Sequence, residues 1–215
     1  MNERKRTIEK SKRHSEKPRE DKKREKLERA QLEFIENFFG SDLPGYLIGG
    51  YAEEALLNGR ITEFHGDVDM LIPREGLNQI KEAINKLGAD FTEKKLESSS
   101  LPYKLTVRYK NAFVVMSILD TVNDDAFYIE INNSGKRFRI YFSKEELEYP
   151  EQRLGNLIVK TVSPLLLMKS KKAVPLVGLF EPREKDIAAF VQLQQKFFPE
   201  ESPKSTKFNP KIKQT

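Results

Sequence analysis

The sequence predicts a mixed α/β domain, and three observations lead there. The short apolar run Tyr46–Ile48 stops at Gly49-Gly50, after which Ala52, Ala55 and Leu56 recur at helical spacing until Gly59. A second apolar run, Val68 to Ile72, leads into a helical pattern over Arg74 to Leu87, with Leu77, Ile80, Ile84 and Leu87 on one face. Residues 103 to 142 then fall into successive strand-like runs, most of them alternating apolar and polar. Strand, helix, strand, helix and then mostly antiparallel strands describe a small mixed sheet flanked by helices.

Residues 1 to about 20 carry almost no apolar side chain beyond Ile8 and cannot repay the entropy of ordering. They are expected as a disordered segment or a frayed helix. From about Glu20, Leu27, Ala30, Phe34 and Phe38 recur at steps of three and four, which predicts a helix that docks its C-terminal half and stops at Gly40. After the second helix, Tyr103 to Tyr109 alternates, Lys110-Asn111 suits a turn, and Ala112 to Leu119 is continuously apolar, as a central strand is. Phe127, Ile129 and Ile131 pair across Asn133-Ser134-Gly135 with Phe138, Ile140 and Phe142 as a hairpin. Ser143 and Glu146 form a capping-box pattern. Leu157 to Val162 is the last strand expected, Ser163-Pro164 starts a helix, and a final helix covers Pro182 to Phe197 with Ile187, Phe190 and Leu193 inward. The expected organisation is a flexible basic arm at 1–25, a domain at 26–198 and a flexible basic tail at 199–215.

Charge follows the same division. Residues 1–30 hold 13 Lys or Arg against 7 Asp or Glu, and residues 201–215 hold 4 against 1. The ends carry the net charge of +5, and the body is mildly acidic. The absence of cysteine excludes disulfides and thiolate metal sites, and two histidines exclude a histidine-rich one. No run approaches the 18 or so apolar residues of a membrane span, so a cytoplasmic protein is expected.

The chemistry concentrates between Tyr46 and Pro73. A glycine turn that opens a helix presents backbone amides and the positive end of the helix dipole, and it lets a phosphate approach closely. Asp67 and Asp69, two apart on a strand, point off one face and can share a metal ion. Mg²⁺ takes one or two carboxylates together with substrate phosphates.

Gly49-Gly50-x-Ala52, Asn58-Gly59-Arg60-x-Thr62 and His65-x-Asp67-x-Asp69 together resemble the nucleotidyltransferase superfamily, in particular the branch of aminoglycoside and lincosamide nucleotidyltransferases. The match covers about 28 residues and departs at Glu63, where the family commonly carries a basic residue. The resemblance implies a nucleotidyltransferase fold. It also implies that Gly49 and Gly50 contact a triphosphate, and that Asp67 and Asp69 hold Mg²⁺ for transfer of a nucleoside monophosphate from an NTP to an acceptor hydroxyl.

In that family a third carboxylate on a central strand completes the metal site and can serve as base. The strand from Ala112 to Leu119 carries none, so Asp120 at its end is the candidate, with Glu130 a weaker substitute. Lys169 and Lys185 are candidates for the phosphates, and His65 for the aspartates or the nucleotide. The acceptor stays open between a small antibiotic-like molecule and RNA, the latter through the basic N-terminal arm. A catalytically degraded relative that binds nucleotide or a partner protein is the alternative.

Overall fold

The structure is a computed structural model that describes residues 3–97, 99–179 and 181–215, with the side chains of the first helix described from position 20. Helix α1 (Glu3–Gly40) sets Phe34, Ile35 and Phe38 in the core, as their spacing requires. The side chains of residues 1–19, most of the expected basic arm, lie outside the described residues.

Strand β1 (Tyr46–Ile48), helix α2 (Gly50–Leu57) and strand β2 (Val68–Pro73) follow the sequence pattern. A 3-10 turn at Arg74–Gly76 leads into α3 (Leu77–Lys86). Next come β3 (Asp90–Lys95), β4 (Pro102–Tyr109), β5 (Ala112–Asn123), β6 (Ala126–Asn133) and β7 (Lys136–Ser143). The remaining elements are α4 (Lys144–Leu147), the hairpin β8 (Gln152–Leu154) and β9 (Leu157–Val159), α5 (Pro164–Leu176), α6 (Glu184–Phe197) and β10 (Lys211–Gln214).

One eight-stranded sheet runs β1-β2-β5-β6-β7-β10, with β4 and then β3 also joined to β5. Only β2 and β5 pair parallel within it. Strand β5 is the spine: β2 lies along one edge, while β4 takes the first half of the other edge and β6 the second half.

The two faces of the sheet exchange roles along β5. In its first half Val68, Met70, Val114 and Met116 are buried beneath α1. On the opposite face Asp69, Val115, Ser117, Thr106 and Lys104 are half-buried. In the second half the Asp69 side is the buried one, with Leu119, Ile129 and Ile140 in register, and the other side carries Asp120, Tyr128 and Tyr141.

Three expectations change, and one strand is additional. Residues 157–162 supply β9 of the separate hairpin, plus one bridge from Thr161 to Leu47, instead of a strand of the main sheet. Strand β3 went unread because its sequence, Asp-Phe-Thr-Glu-Lys-Lys, is that of a charged edge strand with one apolar residue. Ile187 is 56% exposed, while Phe190 and Leu193 turn inward. Residues 199–215 fold back on the domain instead of trailing. Phe208 is fully buried against Phe190 and Phe198, with ring centroids 6.0 and 5.5 Å away, and β10 pairs with β7. Phe208, the strand pairing and Ile212 against the core hold that segment.

Candidate active site

Strand β1 ends at Ile48, which is the register partner of Asp69. The chain must then turn at once into α2, and Gly49 does so with φ +72° and ψ −149°, a backbone region open essentially to glycine alone. A Cβ on Gly49 would lie 2.9 Å from Oδ2 of Asp69, so the glycine turn and the acid touch. At Gly50 a Cβ would overlap the His65 imidazole. That ring packs on Tyr51, with 4.9 Å between centroids. Gly49 thus lies against Asp69, and Gly50 against His65.

The loop that brings Asp67 to that place hangs on Glu54, a buried acid on α2. Its carboxylate accepts from Asn58 Nδ2 at 2.8 Å, from the Thr62 and Glu63 backbone amides at 3.0 and 2.8 Å, and from Thr62 Oγ1 at 2.9 Å. Burial pushes the Glu54 pKa up, but those hydrogen bonds outweigh it and the net shift is downward. His65 Nε2 lies 3.5 Å from Glu54 Oε1, and the His65 carbonyl accepts from Gln31 on α1 at 3.1 Å. Asn58, Thr62 and the backbone at Glu63 therefore shape the loop. The departure at Glu63 costs nothing there, because only its amide is used and its side chain is exposed.

Asp69 carries the strongest electrostatic mark of the site. Burial first and the neighbouring Asp67 second raise its pKa from 3.8 to about 7, with Lys104 and Arg183 acting in the opposite direction. Neither Asp67 nor Asp69 engages its carboxylate in a hydrogen bond or ion pair among the described residues, whereas Glu54, Asp120, Glu130, Glu146 and Asp186 all do. Two like charges, one of them half-buried and both without a cationic partner, are a donor set that a hard divalent cation would satisfy. No group of three or more His, Cys, Asp or Glu that could hold a metal occurs among the described residues.

The third carboxylate expected at Asp120 is not brought to the pair. The parallel register sets Val115 beside Asp69 and Ser117 beside Leu71, so residues 115 and 117 share the acid face. Asp120 falls on the opposite face, roughly 16 Å further along at about 3.3 Å per residue. It is bound there to Arg74 through two nitrogens, one at 2.8 Å. Glu130 is likewise taken up by Arg137 at 3.1 Å and Arg139 at 3.0 Å.

The expected lysines are displaced in the same way. Lys169 pairs with Glu146, the residue that closes the capping box of α4, and Lys185 is exposed with no ion pair among the described residues. The cations at the site are others. Lys171, two residues on and so on the other side of α5, bridges Glu53 of α2 at 2.7 Å and Asp186 of α6 at 3.5 Å. Arg183, at the start of α6, holds Asp186 at 2.7 Å and feels the field of Asp67 and Glu53. Lys104 of β4 is half-buried on the acid face, and burial pulls its pKa down while Asp69 and Asp67 pull it up. The capping proline and serine of α5 were legible in the sequence, but the side of that helix facing α2 was not.

No protein-family profile and no curated protein matches the chain by sequence. Solved structures match it in three dimensions. The crystal structure of the aminoglycoside nucleotidyltransferase ANT(2″)-Ia in complex with adenylyl-2″-tobramycin aligns over 81% of this chain and 90% of that one, at 19% identity and a TM-score of 0.55. The chain has the nucleotidyltransferase fold. The solution structure of ANT(2″)-Ia aligns over 81% and 84%, with 17% identity and a TM-score of 0.57. The lincosamide antibiotic adenylyltransferase LnuA with lincomycin bound aligns over 78% and 96%, with 14% identity and a TM-score of 0.51. In this nucleotidyltransferase fold the glycine turn after β1 and Asp69 of β2 are neighbours in space, with Asp67 in the bend just before the strand, whereas Asp120 and Glu130 belong to the other face of the sheet.

Proposed function

We propose that the chain is a nucleotidyltransferase that moves a nucleoside monophosphate from an NTP to a hydroxyl of a small, antibiotic-like acceptor and releases pyrophosphate. The observation that carries this reading is the contact between the Gly49 turn and the Asp69 carboxylate, on a fold shared with antibiotic nucleotidyltransferases. Asp67 and Asp69 would hold Mg²⁺, which supplies charge neutralisation at the phosphates when bound. The backbone amides at the start of α2 bind phosphate oxygens, and Gly49 keeps that approach free of side chains. Lys104 and Arg183 place positive charge near the acids, and Lys171 cancels the nearby Glu53, so that the pocket would attract a triphosphate.

Incubating the protein with Mg²⁺, labelled NTPs and a panel of aminoglycosides and lincosamides tests the proposal through pyrophosphate release and a labelled product. Asp67→Asn and Asp69→Asn should each abolish both. Release that survives both substitutions overturns it. A second reading, nucleotide binding without turnover, is favoured by Val115 and Ser117 standing where a third carboxylate would face Asp69. Calorimetric NTP binding with no product over the whole panel would select it.

A further inference from the structure

The half of the sheet beyond β5 has an open face unlike the acid site, and we infer that it binds single-stranded nucleic acid. Register sets Asp120, Tyr128, Tyr141 and Lys211 in one row and Glu130, Arg139 and Lys213 in the next, all on the face opposite Asp69. Ile129 and Ile140 on the reverse side are buried in the core, whereas Tyr128 and Tyr141 are half-exposed and lie outside it. The two tyrosine rings are neighbours, 5.8 Å between centroids and tilted by 42°. The Arg139 guanidinium stands 4.5 Å from the centre of the Tyr128 ring and the Lys213 ammonium 5.4 Å from that of Tyr141.

The acids on this face position the cations more than they neutralise them. Glu130 holds Arg137 and Arg139 upright together, and Asp120 fixes Arg74 at the rim. With Lys211 and Lys213 added by the returning C-terminal strand, cations outnumber acids in this group. Aromatic faces interleaved with Lys and Arg suit a chain that offers bases for stacking and phosphates for charge. The row from β5 to β10 spans about 14 Å at roughly 4.8 Å per strand, room for two or three bases. A duplex keeps its bases stacked inside and has none to offer the tyrosines. An anionic membrane would use the charge, but these rows hold no large aliphatic side chain to insert. The inference rests on this half of the sheet alone and stands whether or not the acid site transfers nucleotides.

Fluorescence anisotropy of a labelled 12-nucleotide oligouridylate with the full chain, in EDTA and without NTP, tests it. Tyr128→Ala and Tyr141→Ala should each weaken binding about tenfold, from the known cost of removing one stacking platform. Tyr128→Phe, which keeps the ring, should restore affinity and so separates stacking from a folding defect. Lys211→Gln with Lys213→Gln should flatten the slope of log affinity against log salt by about 1.4, at roughly 0.7 per phosphate on a single strand. Asp69→Asn should leave binding unchanged. The inference is overturned if the platform variants bind with unaltered affinity and slope. It is also overturned if Lys22→Gln, Lys23→Gln and Lys26→Gln in α1 abolish binding instead, or if a duplex of the same length or anionic vesicles bind better than the single strand.

Discussion

Asp69→Asn should stabilise the metal-free protein at pH 8, and by an amount that the structure sets. The folded chain raises the Asp69 pKa to about 7 against 3.8 for the free group, through burial first and Asp67 second. For an acid whose folded pKa is raised, the favourable contribution is present below the unfolded pKa and disappears as pH climbs through the folded one. Wild type therefore loses stability between about pH 4 and pH 7. At about 1.4 kcal/mol per unit the three-unit difference costs about 4 kcal/mol by pH 8. Asparagine removes the charge at nearly constant shape, but leaves an amide that lacks partners, a cost of about 1 to 3 kcal/mol. The net expectation is a gain of about 1 to 3 kcal/mol at pH 8. At pH 5 the protonated wild type has recovered about 3 kcal/mol, so the variant should show no gain there or a loss. Urea unfolding in EDTA at the two pH values measures the difference. A change in stability equal at pH 5 and pH 8 would refute the view that an ionised, buried Asp69 is what costs the fold. Saturating Mg²⁺ should erase the advantage, because a ligand at 100 times its Kd adds about 2.7 kcal/mol to the wild type alone.

Three further perturbations address the frame around the acids. Gly49→Ala forces a side chain into a conformation reserved for glycine and against the Asp69 carboxylate, so it should cost about 1 to 3 kcal/mol and weaken NTP binding in calorimetry. Glu54→Gln breaks the charged hub of the loop before Asp67 and should cost about 1.5 to 3 kcal/mol at pH 7 in urea unfolding. Because the Glu54 pKa is lowered on folding, its contribution exists above its unfolded pKa and fades as pH falls through the folded value, so the deficit of the variant should shrink in acid. Phe208→Ala empties the site between Phe190 and Phe198 and should cost about 3 to 5 kcal/mol. Limited proteolysis should then cut between residues 199 and 215 before it cuts the body.

The local elements were legible because each rests on nearby residues. Glycine spacing, helical periodicity and the Ser143–Glu146 and Ser163–Pro164 signals gave α2, α4 and α5 their starts, alternation gave β4, β6 and β7, and a continuous apolar run gave β5. What escaped depends on partners far away in sequence. The register of β2 on β5 sets Val115 beside Asp69, and Asp120 is both five residues further along β5 and on the other face, which spacing along one strand does not reveal. Lys169 and Lys171 look alike in a helical run, and only the packing of α5 against α2 and α6 tells them apart. The final segment reads as polar tail until Phe208 is given a pocket made by Phe190 and Phe198.

Charge placement around the acids follows a consistent logic. Glu53 could have added a third negative charge beside Asp67, but Lys171 neutralises it and ties α2 to α5. Asp186 is similarly absorbed by Arg183 and Lys171, and its pKa falls to about 2, through Arg183 first. The negative charge left over at this end of the sheet is thus the pair at 67 and 69. Across β5 on the same face stands the half-buried Lys104, which has no ion pair among the described residues. A free cation alone would satisfy the pair and repel Lys104, and a free phosphate would do the reverse. A metal-bound triphosphate, the ligand proposed for this site, presents both signs at once and would answer the acid pair and Lys104 together.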